Sequence, residues 1–222
     1  MFRIFLVEDE KNLNEILTSY LEKEGWEIRP FTEGKSALEA IKEQPHLWIL
    51  DIMLPDIDGY QLLRRIKEET PGVPVIFISA RDADIDRIIG LEMGSDDYLA
   101  KPFLPRELVI RVQRVLERVY PNAKSKNLMI DLSPYVLDEA KREIRKGQEI
   151  INLTSKEYDL ALLFAKHKGQ ALSRDQIINQ VWGEDYVGTD RSVDDLVRRL
   201  RKKVPDLRIE TIYGFGYRMI SQ

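Results

Sequence analysis

The first 120 residues alternate between short unbroken apolar runs and stretches whose apolar residues recur every three or four positions. Phe2–Val7, Trp26–Phe31, Leu47–Leu50, Val75–Ile78 and Tyr98–Ala100 read as strands. Leu13, Ile16, Leu17, Tyr20 and Leu21 stripe a helix between the first two, and Gly25 is placed to end it. Ala37, Leu38 and Ile41 mark a second helix, and Leu62, Leu63 and Ile66 a third. Ile85, Ile88 and Ile89 mark a fourth, and Leu108, Val109, Val112, Leu116 and Val119 a fifth. Strands alternating with helices in this way predict right-handed crossovers and an α/β domain built on a five-stranded, doubly wound parallel sheet.

The pattern then changes. Tyr120–Lys126 has no apolar periodicity and reads as a linker, dividing the chain into domains 1–119 and 127–222. Leu128–Asp131, Val136–Asp138, Glu143–Arg145 and Glu149–Asn152 are short, turn-punctuated strand candidates. Thr154, with Glu157 three residues on, caps a helix carrying Tyr158, Ala161, Leu162 and Ala165. Ser173 caps a second helix, with Ile177, Ile178 and Val181, and Asp190 a third. Leu207–Ile212 and Tyr217–Ile220 flank Tyr213-Gly214-Phe215-Gly216 as a hairpin. Three helices and a terminal hairpin predict an α+β winged helix-turn-helix.

Charge is distributed unevenly. Residues 1–120 hold 16 basic and 23 acidic side chains, a net −7, and residues 121–222 hold 18 and 15, a net +3. A positive second half permits contact with nucleic acid. The absence of cysteine excludes disulfides, thiolate catalysis and cysteine-built zinc sites. His46 and His167 are too few for a histidine metal site or a Ser-His-Asp triad. No apolar run approaches the roughly 20 residues of a membrane span. Phe2–Val7 runs straight into Glu8-Asp9-Glu10, unlike a signal peptide. A cytoplasmic, soluble protein is expected.

Candidate chemistry lies at the strand ends. Glu8 and Asp9 follow the first strand, Asp51 the third, Ser79 the fourth and Lys101 the fifth. Ligands of open parallel sheets bind there. Neighbouring carboxylates repel, so at least one pKa should rise, and a hard divalent cation relieves that repulsion. Mg²⁺ is the expected cofactor, with Asp9 holding it and Glu8 reaching it directly or through water. Asp51 follows the deepest apolar run and is the candidate phosphoryl acceptor. Lys101 would neutralise the phosphoryl oxygens and Ser79 would hydrogen-bond one of them.

These residues, in Glu8-Asp9, Leu50-Asp51-Ile52-Met53-Leu54-Pro55, Ser79-Ala80-Arg81 and Asp96-Asp97-Tyr98-Leu99-Ala100-Lys101-Pro102-Phe103, give a chain that resembles the OmpR/PhoB type of bacterial response regulator over its whole length. The resemblance implies a two-component system, in which a membrane-bound sensor histidine kinase phosphorylates Asp51 from its own phosphohistidine. It implies magnesium on Asp9, Asp51 and the Met53 carbonyl, with Glu8 through water, and a cis peptide before Pro102. It implies a Ser79–Tyr98 switch in which the ring rotates inward. It also implies a homodimer through Arg87, Asp96, Asp97, Glu107 and Arg111, with Gln113 departing from the usual basic residue. Promoter DNA and RNA polymerase are the implied further partners. Phe77–Asp86, Lys101–Leu108 and Val193–Arg201 are similar to secretion-stress members of the family, implying a kinase that senses misfolded protein outside the membrane.

The helix from Asp190 to Val204 is amphipathic. Val193, Leu196, Val197, Leu200 and Val204 face inward, and Arg191, Asp195, Arg198 and Lys202 face outward. Its Asp194–Arg198 and Asp195–Arg199 spacings also allow a self-paired surface helix. The resemblance favours docking in the major groove, led by Arg191, Arg198 and Arg199 with Lys202. Tyr213 stands where the family's wing is usually basic, and Arg218 either touches DNA or supports the fold. Two other readings stay open. One is a magnesium phosphohydrolase, disfavoured because Met53 occupies the position of a usual second acid. The other is a constitutive DNA-binding protein with a relict acidic pocket.

Overall fold

The computed structural model describes residues 1–80, 93–120, 129–183 and 190–220. The expectations at Arg81, Ile85, Arg87, Ile88 and Ile89, at most of the linker and at the loop before Asp190 lie outside them. The chain divides into two compact units, Met1–Pro121 and Asn122–Gln222.

In the first unit, strands β1 (Arg3–Val7), β2 (Glu27–Phe31), β3 (Leu47–Asp51), β4 (Val75–Ser79) and β5 (Asp97–Ala100) form a sheet of order β2-β1-β3-β4-β5. All its pairings are parallel. Helices cover both faces, which is why β1, β3 and β4 are apolar without alternation. Ile4, Leu6, Leu47, Ile49, Ile76 and Ile78 pack with α1 (Lys11–Glu22) and α4 (Pro105–Val119). Phe5, Val7, Trp48, Leu50 and Phe77 pack with α2 (Gly34–Glu39) and α3 (Gly59–Glu69). The rings of Phe5 and Trp48 meet edge to face, with centroids 4.9 Å apart. The expected second helix is shorter than its stripe: it stops at Glu39, and Ile41 falls in a 3-10 turn, Ile41–Glu43. Gln44 then takes a left-handed φ of 49°, consistent with Pro45 disfavouring continued α-helix.

In the second unit, β6 (Met129–Leu132), β7 (Tyr135–Asp138), β8 (Glu143–Lys146) and β9 (Glu149–Ile151) form an antiparallel meander. Helices α5 (Ser155–Lys166), α6 (Arg174–Val181) and α7 (Asp190–Lys203) share one core with the terminal hairpin, β11 (Ile209–Ile212) and β12 (Gly216–Met219). Of the three expected caps, Thr154 and Ser173 form reciprocal boxes with Glu157 and Gln176, whereas Asp190 lies within the first turn of α7. On α5, Leu160 and Phe164 join Tyr158 and Ala161 in the core, while Leu162 and Ala165 are only partly buried. The hairpin gains an unforeseen third strand, β10 (Ala171–Ser173), paired with β12. A three-residue strand has too little pattern to be read without its partner.

Candidate functional site

The parallel sheet brings Glu8, Asp51, Ser79 and Lys101 to one end. Asp51 closes β3 at 4% exposure; its Oδ1 accepts the Met53 N–H at 2.9 Å and its Oδ2 accepts Lys101 Nζ at 2.7 Å. Lys101 Nζ also donates to both oxygens of the buried Glu8, at 2.9 and 2.7 Å. Glu8, Asp9 and Asp51 each offer a carboxylate oxygen within 4.8 Å of the others. Asp9 is the exposed member. The Lys101 backbone N–H donates to the Ser79 carbonyl at 2.7 Å, and Ser79 is fully buried. The peptide between Lys101 and Pro102 is cis.

Burial pushes the Glu8 carboxyl up from its usual range; the Lys101 hydrogen bond opposes this and the Asp51 charge adds to it. Burial alone would lower Lys101, but its bonds to Asp51 and Glu8 outweigh that and hold it above an ordinary lysine. Three carboxylates face one ammonium, leaving two formal negative charges when all are ionised. Hard oxygen donors around that excess fit a hard divalent cation.

Neighbouring turns hold the loop that follows Asp51. Gly59 lies against it so closely that a Cβ there would sit 2.4 Å from the Asp51 carbonyl oxygen. Asp58 caps α3 by accepting the Tyr60 N–H at 2.8 Å. Two features were not anticipated. Asp56 accepts the N–H groups of Gly34 and Lys35 at 2.9 and 2.8 Å, tying the loop after β3 to the start of α2. Buried Asn14 donates to the carbonyls of Glu8 and Phe31 at 2.8 and 2.9 Å, joining the ends of β1 and β2. A polar residue three before Leu17, on its buried face, was the only sequence signal for Asn14.

Tyr98 is already inside, at 6% exposure, within the core on the α3 side. Arg111 binds Asp97 at 3.1 Å and Glu107 at 3.0 Å within the chain. Asp96 is held within the chain. Its fully buried carboxylate accepts from Arg118 at 2.9 Å, Lys67 at 3.3 Å and the Val75 N–H at 3.0 Å. It therefore links α3, β4 and α4 within the first unit.

Helix α7 sorts its cations by direction. Arg191 and Lys202 are exposed, and the Arg198 side chain is 70% exposed, with Asp195 3.1 Å away. Three others turn to the domain itself. Arg201 donates to the Ile209 carbonyl and to Thr211 Oγ1 at 2.7 and 3.0 Å. Lys203 donates to Glu157 at 2.7 Å. Arg199 lies 3.8 Å from Glu157 with its side chain 19% exposed. Asp194 pairs not with Arg198 but with Arg174, at 2.8 Å, and with the Tyr217 hydroxyl. Arg218 bonds its cross-strand neighbour Glu210 at 2.8 Å.

A receiver-type acidic cluster on one unit and a helix–hairpin unit with outward arginines define a two-component response regulator with a winged-helix effector. The chain belongs to the OmpR/PhoB type of that family: residues 4–113 match the response regulator receiver domain, and residues 147–219 match the C-terminal domain of transcriptional regulatory proteins. It is 61% identical over 222 residues to the transcriptional regulatory protein CssR of Bacillus subtilis strain 168, covering 99% of each chain. Among solved structures it is similar to a cysteine-to-serine mutant of RitR, with TM-score 0.75, 25% identity and 99% of both chains covered. It is also similar to the response regulator DrrB, a Thermotoga maritima OmpR/PhoB homologue, with TM-score 0.53, 33% identity and both chains fully covered. Among the described residues no helix is long and apolar enough to cross a membrane.

Proposed function

We propose that residues 1–119 are a phosphoacceptor domain, 120–126 a linker and 127–222 the DNA-binding domain, and that phosphorylation of Asp51 controls promoter binding. The carrying observation is the convergence of Asp51, Glu8, Asp9 and Lys101 from three separate strand ends. A cognate histidine kinase supplies the phosphoryl group. An Asp51 carboxylate oxygen forms the new bond to phosphorus as the phosphorus–nitrogen bond to the imidazole breaks. Mg²⁺ would be held by Asp9, Asp51 and the Met53 carbonyl, with Glu8 nearby, and supplies charge neutralisation for the transferring group. Lys101 reorients from the carboxylates to the phosphoryl oxygens, and Ser79 donates to one of them.

The Ser79–Tyr98 pair then biases the surface that carries Asp97, Glu107 and Arg111 towards a homodimer. Arg111 exchanges its internal partners for those of the second copy. Arg191, Arg198 and Lys202 contact duplex DNA, and the bound dimer acts on RNA polymerase in the cytoplasm. The similarity to secretion-stress regulators makes genes answering misfolded exported protein the expected targets. Met53, in place of a second acid, argues against turnover of free phosphate esters.

Labelling with radioactive acetyl phosphate and Mg²⁺ tests the acceptor. Wild type takes up a hydroxylamine-labile label and Asp51→Asn does not. Equal labelling of that variant removes Asp51 from the role. Promoter affinity unchanged by beryllofluoride would favour constitutive DNA binding instead.

A further inference from the structure

Asp51 closes β3 and Gly59 opens α3, and residues 52–58 run between them without regular structure. Met53, in that loop, gives its N–H to Asp51 Oδ1 at 2.9 Å. The ends of the loop are fixed by the sheet and by the Gly59 N–H, which bonds the Ile52 carbonyl at 3.0 Å. Its far side is fixed by Asp56. Oδ1 of that carboxylate accepts the Gly34 N–H and Oδ2 the Lys35 N–H. Beside it Ile57 packs on Gly34 so tightly that a Cβ there would sit 2.0 Å from Ile57 Cγ2. Burial raises the Asp56 carboxyl, but the N–H groups of Lys35, Gly34, Asp56 and Ile57 outweigh it and hold it below its usual range.

Helix α2 has no side-chain cap of its own. Glu33 stands at its N-cap in extended backbone, and the Glu33 side chain makes no cap bond. The first N–H groups of an α-helix need acceptors from outside it. Here the acceptor comes from a loop 22 positions further on. One carboxylate therefore caps α2 and anchors the segment that carries Met53.

We propose that Asp56 is a positioning residue for phosphoryl transfer: by pinning residues 52–58 to α2, it keeps the Met53 N–H on the acceptor carboxylate and the Met53 carbonyl available to magnesium. The proposal rests on the reading of the acidic cluster as a magnesium and phosphoryl site. A loop without such an anchor samples more backbone states, and ordering it on binding costs entropy. A ligand that binds only the competent fraction shows an affinity lowered by that fraction. Asp56 lies outside the cluster of Glu8, Asp9 and Asp51, so it acts on the metal through the population of loop states.

The test uses full-length, nitrogen-labelled protein. Without metal, the Met53 N–H should exchange with solvent about fivefold faster in Asp56→Ala than in wild type, while the amides of the buried Ile49 and Phe77 keep their rates. Magnesium titrated into the same samples should bind about fivefold more weakly, and labelling by acetyl phosphate should regain the wild-type rate at saturating magnesium. Asp56→Asn keeps one acceptor oxygen and drops the charge, and its magnesium affinity should lie closer to wild type than to Asp56→Ala. Adding Glu33→Asp to Asp56→Ala gives α2 a cap at its own N-cap position. Stability should then return while the exchange and magnesium defects remain. Equal acceleration of the core amides, or recovery of magnesium affinity with the new cap, makes Asp56 a helix cap only and overturns the proposal. An Asp56→Asn variant as weak as Asp56→Ala traces the loss to charge and overturns it too. If wild type responds to magnesium and Asp56→Ala matches it, the proposal alone falls; if wild type gives no saturable response, the reading of the acidic cluster falls with it.

Discussion

The Tyr217 hydroxyl donates to Asp194 Oδ1 at 2.7 Å, joining the wing strand β12 to helix α7. Arg174 approaches the same oxygen at 2.8 Å and lies over the Tyr217 ring, 5.2 Å from its centroid. One carboxylate thus coordinates α6, α7 and the wing. Burial and the Asp194 bond together hold the Tyr217 hydroxyl above its usual pKa, so it remains a donor at neutral pH.

Tyr217→Phe keeps the buried ring and removes that bond. A hydrogen bond to a charged acceptor contributes about 1.5–3 kcal/mol when well shielded, and the half-exposed Asp194 points to the lower end. The second domain should lose about 1.5 kcal/mol in urea unfolding. An unchanged midpoint would mean that the pair contributes no net stability.

Magnesium should stabilise the first domain, because the cation relieves repulsion among Glu8, Asp9 and Asp51. At a hundredfold excess over Kd the gain is about 2.7 kcal/mol, and EDTA should reverse it. Asp9→Asn removes an exposed carboxylate of the cluster without disturbing the core, so its melting curve should respond far less to the metal. Equal stabilisation of variant and wild type would place the ion elsewhere.

His46 gives a pH dependence of defined sign. Its Nδ1 accepts the Arg3 N–H at 3.0 Å, and its ring packs on Phe2 and Tyr120. Burial, aided by the nearby N-terminal ammonium, lowers its pKa from the usual 6.5. The unfolded chain therefore takes up the proton first as pH falls. The contribution is complete above about 6.5 and declines as pH drops from there through the folded-state value. His46→Gln should flatten the loss of stability between about pH 7 and pH 5. Parallel curves for the two proteins would show that another group carries the slope.

Arg198 and Arg199 are neighbours with opposite surroundings. Arg198→Ala should weaken operator binding by about 1–3 kcal/mol and leave thermal stability unchanged. Arg199→Ala should instead lower stability, since its side chain is largely enclosed beside the buried Glu157. Reversal of these two effects would mean that the reading face lies about 100° around the helix, at Arg199.

Much of the first domain was readable because both-face burial leaves continuous apolar strands, and because chemistry on a parallel sheet gathers at strand ends. Phe5-Leu6-Val7 and Leu47-Trp48-Ile49-Leu50 announce central strands, so the residues that follow them were legible as one cluster. The caps at Thr154 and Ser173 were equally plain, since the bonds concerned span three residues. Asn14, Asp56 and β10 were not, because each acquires its meaning from a segment distant in sequence.

Helical periodicity placed Arg198, Arg199 and Asp194 around an axis, and local patterning likewise brought Asp51 to the end of β3. Which neighbour covers each side of that helix was settled by packing: Glu157 claims Arg199, and Tyr217 with Arg174 claims Asp194. Asp96 likewise forms a buried junction between α3 and α4. Torsional preference and hydrophobic period act over a few residues, whereas the partner of a charge depends on which distant segment excludes water from it.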